Sequence, residues 1–378
     1  MKLQRFLSIL VVLSLLLGGC GKKEGTYVPP PDWHPGGNTE NPEDSEDPGE
    51  TEEPEDPGAV TPPGAWEANR GKVVTPSGEG WTIRKVNTAV TYYAYNGKDP
   101  FHNKNQRVYA VDLDLSNPNY KVQMTYTSPS AAVSAVHAKY NAIATINAGY
   151  EAGSIYIRVG GKDKSNLPNS HIGDTGVRNW KSESGLFFTA GGHQAHISAA
   201  EELIRPYVTP SEENITSYIS KQRNYYYMNT TDEDILSSSP MLINDFNPVG
   251  ETFIDYSISN WTKLPSTEEP QYHQRKEHPR TAVALTENNH IILIVVDGRQ
   301  TNRYGMSAKA LTQFLVKYFN PQYAINLDGG GSTAMCVAGL QDADYTDKSR
   351  QLVDSPIQDN KPGTERARDT QIVILPAN

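Results

Sequence analysis

Ile291-Ile292-Leu293-Ile294-Val295-Val296-Asp297 and Tyr323-Ala324-Ile325-Asn326-Leu327-Asp328 are two apolar runs of strand length, each closing on an aspartate, and the second runs on into Gly329-Gly330-Gly331-Ser332-Thr333. Their β-branched and aromatic content, bounded by turn residues, reads as two buried strands. Between them, Leu311, Phe314, Leu315, Tyr318 and Phe319 fall on one face at helical spacing. Ser307 is placed to cap that helix, and Asn320-Pro321 stops it. The order is strand, helix, strand. If both strands join one sheet in parallel, the crossover is right-handed and their carboxyl ends share an edge, where ligands collect. Asp297 and Asp328 are therefore expected at one edge. A second helix, Ser130 to Tyr140, precedes the strand Ala142–Ile146, and Asn147 follows that strand. Asn147 is expected to join the two aspartates.

Working outward, Lys121–Tyr126, Ser154–Val159, Gly185–Thr189, Thr281–Leu285 and Gln371–Leu375 also read as strands. No internal repeat is present. The fold class expected is α+β: a mixed, mostly antiparallel sheet system with flanking helices, in one domain over residues 66–378.

The remainder of the 378 residues has another character. Lys2 and Arg5, the apolar run Phe6 to Leu17, and Gly18-Gly19 read as a cleaved secretory signal over residues 1–20. Leu17-Gly18-Gly19-Cys20 resembles the bacterial lipobox, which makes Cys20 the expected lipid attachment. Residues 21–65 hold twelve acidic residues against two basic ones, interleaved with Pro and Gly. Such a segment buries too little to offset the entropy of ordering and reads as an extended, disordered tether. The chain's net charge of −10 thus resides almost wholly in the tether, and the nearly neutral domain lacks the basic face of a nucleic-acid binder. The localisation expected is the cell envelope, anchored by the N-terminal lipid only and facing the periplasm or the surface. With Cys20 acylated, Cys336 has no disulfide partner and reads as a small buried apolar residue.

Three consecutive glycines are unfavourable unless the backbone needs unusual dihedrals or close approach. Exposed amides in such a loop form a concave nest suited to phosphate oxygens, with Ser332 and Thr333 adding hydroxyls. The loop lacks the Gly-Lys-Ser/Thr ending of a nucleotide P-loop and the alternating carboxylates of an EF-hand. Asn326 to Thr333 resembles the signature of the phosphodiester glycosidase domain family, which includes the mannose 6-phosphate uncovering enzyme, an N-acetylglucosamine-1-phosphodiester α-N-acetylglucosaminidase. Other strings agree in order: Asn147-Ala148-Gly149-Tyr150, Ser239-Pro240-Met241-Leu242, His278-Pro279-Arg280-Thr281-Ala282, Val296-Asp297-Gly298-Arg299 and Glu365-Arg366. The resemblance spans roughly Val108 to Leu375. It departs at Ala148, where glycine is usual, and over 160–182 and 200–235.

The resemblance implies a hydrolase that frees a sugar from a sugar-1-phosphodiester in envelope or extracellular glycans. That bond breaks through an oxocarbenium-like transition state, so the protein must neutralise phosphate and supply a carboxylate. Arg280 is assigned to phosphate because its planar fork grips oxyanions. Asp297 and Asp328 are the catalytic carboxylates, with nucleophile and base left open between them; Asp297-Gly298 also reads as a plain turn. Asn147, Gly329, Gly330, Gly331, Ser332 and Thr333 are expected at the substrate or phosphate, and His278 as a proton donor to the leaving oxygen. Glu151 is a reserve acid. No cofactor is required, and a divalent cation, Ca or Mg, is compatible with carboxylates near the glycine loop. His193 and His196 would face opposite sides of a strand and lack a third zinc ligand. The alternative function is a non-catalytic glycan-binding or exopolysaccharide-assembly lipoprotein, for which Tyr225-Tyr226-Tyr227 would be the platform, or a strand with two rings packed inward.

Overall fold

The computed structural model describes residues 69–167, 181, 184–199, 223–250, 270–341 and 348–377. The leader, Cys20 and the tether lie outside the described residues, as do much of 160–182 and 200–235. The described residues fall within one unit, Val60–Asn378.

Eight strands form the largest sheet, in the order Trp81–Lys85, Val90–Lys98, Asn105–Asp114, His290–Val296, Arg280–Leu285, Tyr323–Asn326, Met241–Asn244 and Asn247–Pro248. Its central strands are buried on both faces, and the period of two sorts their side chains. Ile291, Leu293 and Val295 enter one apolar cluster; Ile292, Ile294 and Val296 enter another. The second cluster receives Leu311, Phe314 and Leu315 of the helix Ala308–Tyr318. Small residues on that face, Ala110, Ala282, Ala284 and Ala324, let the helix approach. Ser307 caps it by accepting from the Ala310 N–H at 3.1 Å, and Asn320 ends it in a left-handed conformation (φ 43°).

The first cluster is closed by a four-stranded sheet, ordered Met335–Val337, Ala144–Asn147, Arg368–Pro376 and Tyr120–Ala131. The helix Val133–Tyr140 packs on the far face of that sheet, through Val136 against Ala142 and Val373. The layers are helix, sheet, sheet, helix. A five-stranded sheet (Lys162–Ser165, Ile157–Val159, Asp234–Ser238, Ser184–Thr189, Gln194–Ala199) adds Ile157, Leu186, Phe188 and Leu236 to the same core. Every pairing in these sheets is antiparallel, and the fold class is α+β, with helices outermost as expected.

All eight expected strands are present. The expected helix Ser130–Tyr140 starts later, at Val133, because Ser130 and Ala131 continue the long strand Tyr120–Ala131, where Ala131 pairs with Arg368. The three consecutive tyrosines do not form the strand that the alternative reading expected. Residues 223–228 are helical, so the rings fan out: Tyr225 is exposed while Tyr227 is buried and stacks on Tyr156 at 4.7 Å. Among the described residues no helix is long and apolar enough to cross a membrane.

Candidate active site

His290–Val296 and Tyr323–Asn326 each pair antiparallel with Arg280–Leu285, which lies between them. They therefore run parallel to each other, and Asp297 and Asp328 emerge at one sheet edge. From Asp328 the chain passes through the glycine turn into Met335–Val337 of the four-stranded sheet. The turn thus bridges the two sheets at their common end.

Close packing explains its glycines. A Cβ on Gly329 would lie 2.7 Å from the Pro279 carbonyl oxygen, and Gly330 has φ +61°. A Cβ on Gly331 would lie 2.5 Å from Gln358 Oε1 and 2.9 Å from Arg366 Nη2. The turn is less of an amide nest than its composition suggests. The N–H of Gly330 donates to Pro279, that of Ser332 to Gly329 and that of Thr333 to Gly330 (2.8, 3.2 and 3.3 Å). Ser332 and Thr333 are buried, and the Thr333 hydroxyl meets that of Thr281 at 3.3 Å.

The Asp328 carboxylate forms an ion pair with Arg368 Nη2. Burial pushes its pKa above the ordinary carboxylate range, although Arg368 and the Ser332 hydroxyl act in the other direction. The same Arg368 nitrogen lies 3.6 Å from Glu151 Oε2, whose other oxygen pairs with Lys181 Nζ at 3.0 Å. Burial opposes the charge of Glu151, but Lys181 and Arg368 outweigh it and hold that carboxyl below its usual range. Two further guanidinium groups overhang the turn. Arg299 Nη2 comes within 3.2 Å of where a Gly330 Cβ would be, and Arg366 covers Gly331. Arg299 donates to His278 Nδ1 at 3.0 Å.

Other expected site residues are placed differently. Arg280 is buried, and its Nε and Nη2 donate to the carbonyls of Met306, His273 and Lys276 (2.8, 2.6 and 2.7 Å). Burial, reinforced by Arg299, pulls its pKa down to about 10. Most of its fork is thus occupied by the fold. Asp297 is enclosed: Oδ2 pairs with Arg303 Nη1 at 2.9 Å and Oδ1 accepts from the Ser355 N–H at 2.8 Å. Its carboxylate is fully buried among these groups. Asn147 does meet Asp328, but through the backbone: Nδ2 donates to the Asp328 carbonyl at 2.7 Å, while Oδ1 accepts from Thr281 Oγ1 at 2.7 Å and from the Ala334 N–H at 3.2 Å. Its polar atoms act as a strut between sheets. His278 is driven down to about 3, by burial first and then by Arg280 and Arg299. The neutral imidazole is favoured there, and its Nδ1 can orient Arg299. Ala148, the departure from the family string, is fully buried in the core.

His193 and His196 line one cleft of about 610 Å³ together with Thr189 and Asn289, remote from the glycine turn in the fold. The expectation that they face opposite sides fails because His193 precedes the strand Gln194–Ala199, in the turn. Among the described residues no three His, Cys, Asp or Glu side chains assemble as a metal group.

Sequence reasoning overlooked Arg368 and Lys181 and ranked Glu151 as a reserve. Arg366 and Arg368, two basic residues where the last strand begins, were the legible signal.

A two-sheet α+β core with a carboxylate and arginines gathered at a glycine turn defines a site for an anionic, hydroxylated ligand. The phosphodiester glycosidase family model matches residues 140–375, more than half of the chain, and the chain belongs to that family. Solved structures resemble it at low identity. The catalytic domain of zebrafish N-acetylglucosamine-1-phosphodiester α-N-acetylglucosaminidase, auto-inhibited by its pro-peptide, is 18% identical with a TM-score of 0.48, over 80% of this chain and 87% of that one. A Synechocystis protein is 14% identical, with a TM-score of 0.45, over 79% and 64%. A Burkholderia pseudomallei protein is 11% identical, with a TM-score of 0.50, over 81% and 99%. A search of curated proteins gave no match.

Proposed function

We propose that this protein hydrolyses a sugar-1-phosphodiester, with Asp328 as a reacting carboxylate and Arg299 and Arg366 receiving the phosphate. Family membership supports the reaction class. The observation that carries the assignment of residues is the position of Asp328, at the root of a glycine turn flanked by three arginines, Arg299, Arg366 and Arg368. Arg280 and Asp297 frame the site in this reading: they hold the Met306 and Ser355 segments against the sheet edge. Fixed cations at the phosphate stabilise the charge that develops there as the glycosidic bond breaks, at no reorganisation cost.

The test is a panel of methyl phosphodiesters of α- and β-linked hexose and N-acetylhexosamine 1-phosphates. Free sugar and methyl phosphate should appear with the wild type and be lost in Asp328→Asn, with melting little changed. Binding without release would favour the alternative, a glycan-binding or polysaccharide-assembly protein. The same proposal places the chain in the cell envelope, lipidated at Cys20 and tethered by residues 21–65, as the sequence of that segment supports. Calcium or magnesium dependence is tested in the same assay with a chelator.

A further inference from the structure

Glu151 follows the strand Ala144–Asn147 by four residues and so leaves the four-stranded sheet at the end where Asn147 holds the Asp328 carbonyl. Both carboxylates touch one atom, Arg368 Nη2. By the triangle rule their contacting oxygens lie within about 6 Å of each other, a bound that admits the ~5–5.5 Å separation of retaining glycosidases. The two differ in setting. The Asp328 side chain is 9% exposed, whereas that of Glu151 is 52% exposed. Glu151 thus reaches solvent while its two cationic partners, Lys181 and Arg368, stay largely buried and hold it in place. Asp297 is no rival for the second role, since its carboxylate is enclosed by Arg303 and Ser355.

We propose that Glu151 is a second catalytic carboxylate and works with Asp328 in a two-step displacement that retains the anomeric configuration of the released sugar. The inference rests on the glycosidase reading above. In the first step a Glu151 oxygen attacks the anomeric carbon and the bond from that carbon to the phosphate oxygen breaks. Asp328 gives its proton to the departing oxygen, which leaves as a phosphomonoester, and a glycosyl ester remains on Glu151. In the second step water attacks the anomeric carbon, its proton passes to Asp328, and the ester bond breaks to restore the Glu151 carboxylate. No oxidant, reductant or further reactant is needed. The environments agree with these roles: burial favours the proton on Asp328, while Lys181 and Arg368 keep Glu151 ionised.

The experiment follows turnover of the best panel substrate by proton NMR, for wild type, Glu151→Gln and Glu151→Ala, with melting curves alongside. With an α-linked substrate, the α-hemiacetal should form first. Glu151→Gln should lower turnover by roughly a thousandfold or more, the order expected when a nucleophile is removed. Glu151→Ala should be rescued by azide and yield the β-glycosyl azide. A β-hemiacetal as first product overturns the inference, as does Glu151→Gln within about tenfold of wild type. A wild type inert on the whole panel removes the glycosidase reading itself, and this inference with it.

Discussion

The side-chain amide of Asn147 donates to the Asp328 carbonyl at 2.7 Å, linking the last residue of a strand in the four-stranded sheet to the root of the glycine turn in the eight-stranded one. Its Oδ1 accepts from Thr281 and from the Ala334 N–H, so one buried side chain braces both sides of the turn. Asp328 is therefore fixed by its own main chain, before its carboxylate meets Arg368.

Asn147→Ala should be a stability mutant first. It strands the Asp328 carbonyl and the Ala334 N–H and leaves the Thr281 hydroxyl only its contact with Thr333, and each unpaired buried group costs roughly 1–3 kcal/mol. The expected loss is at least about 2 kcal/mol in urea unfolding, with activity falling because the turn loosens. Unchanged stability would mean that the strut is not needed.

The glycines should not be equivalent. Gly329→Ala drives a methyl into the backbone oxygen of Pro279, which cannot move aside, and should impair folding. Gly331→Ala meets only the mobile ends of Gln358 and Arg366. It should keep its melting temperature and raise KM by displacing Arg366. Equal losses of stability in the two variants would contradict this account.

Arg280 and Arg299 should separate structure from binding. Arg280→Lys gives up the planar fork shared by three carbonyls and should lower stability by about 2–4 kcal/mol, as expected for broken buried hydrogen bonds. Arg299→Ala removes an exposed side chain and should leave melting within a degree or two while raising KM about tenfold or more, as the loss of a charge-assisted contact to phosphate predicts. A normal KM in Arg299→Ala would move the phosphate elsewhere.

Asp354 supplies a pH test. It is buried, its Oδ1 accepts from the Met335 N–H at 2.8 Å, and burial together with the nearby Asp297 charge pushes its pKa well above the usual carboxylate range. The folded state therefore keeps a proton that the unfolded chain loses. The stability linked to this group is full at acid pH and declines as pH rises from the unfolded value through the folded one. Asp354→Asn retains an acceptor for Met335 and cannot ionise. Its melting temperature should exceed that of wild type at pH 8, and the difference should shrink toward pH 4. A variant that melts lower at pH 8 would contradict the assignment.

The layers of this protein were legible in its sequence because strands and caps are local. Ile291 to Val296 alternates between two cores, Ser307 offers an oxygen to its own helix, and three glycines mark a turn under a close-packed carbonyl. Topology rules then brought Asp297 and Asp328 to one edge. Which charged groups face one another was decided only by the tertiary structure. Asp297 turned to Arg303 and Ser355, Arg280 to three carbonyls, and Asp328 to Arg368, forty residues further along the chain. Local patterning fixes the face on which a side chain emerges. Its partner is chosen by loops of no fixed period, because a buried charge must find a counter-charge or a hydrogen bond wherever the packed chain brings one.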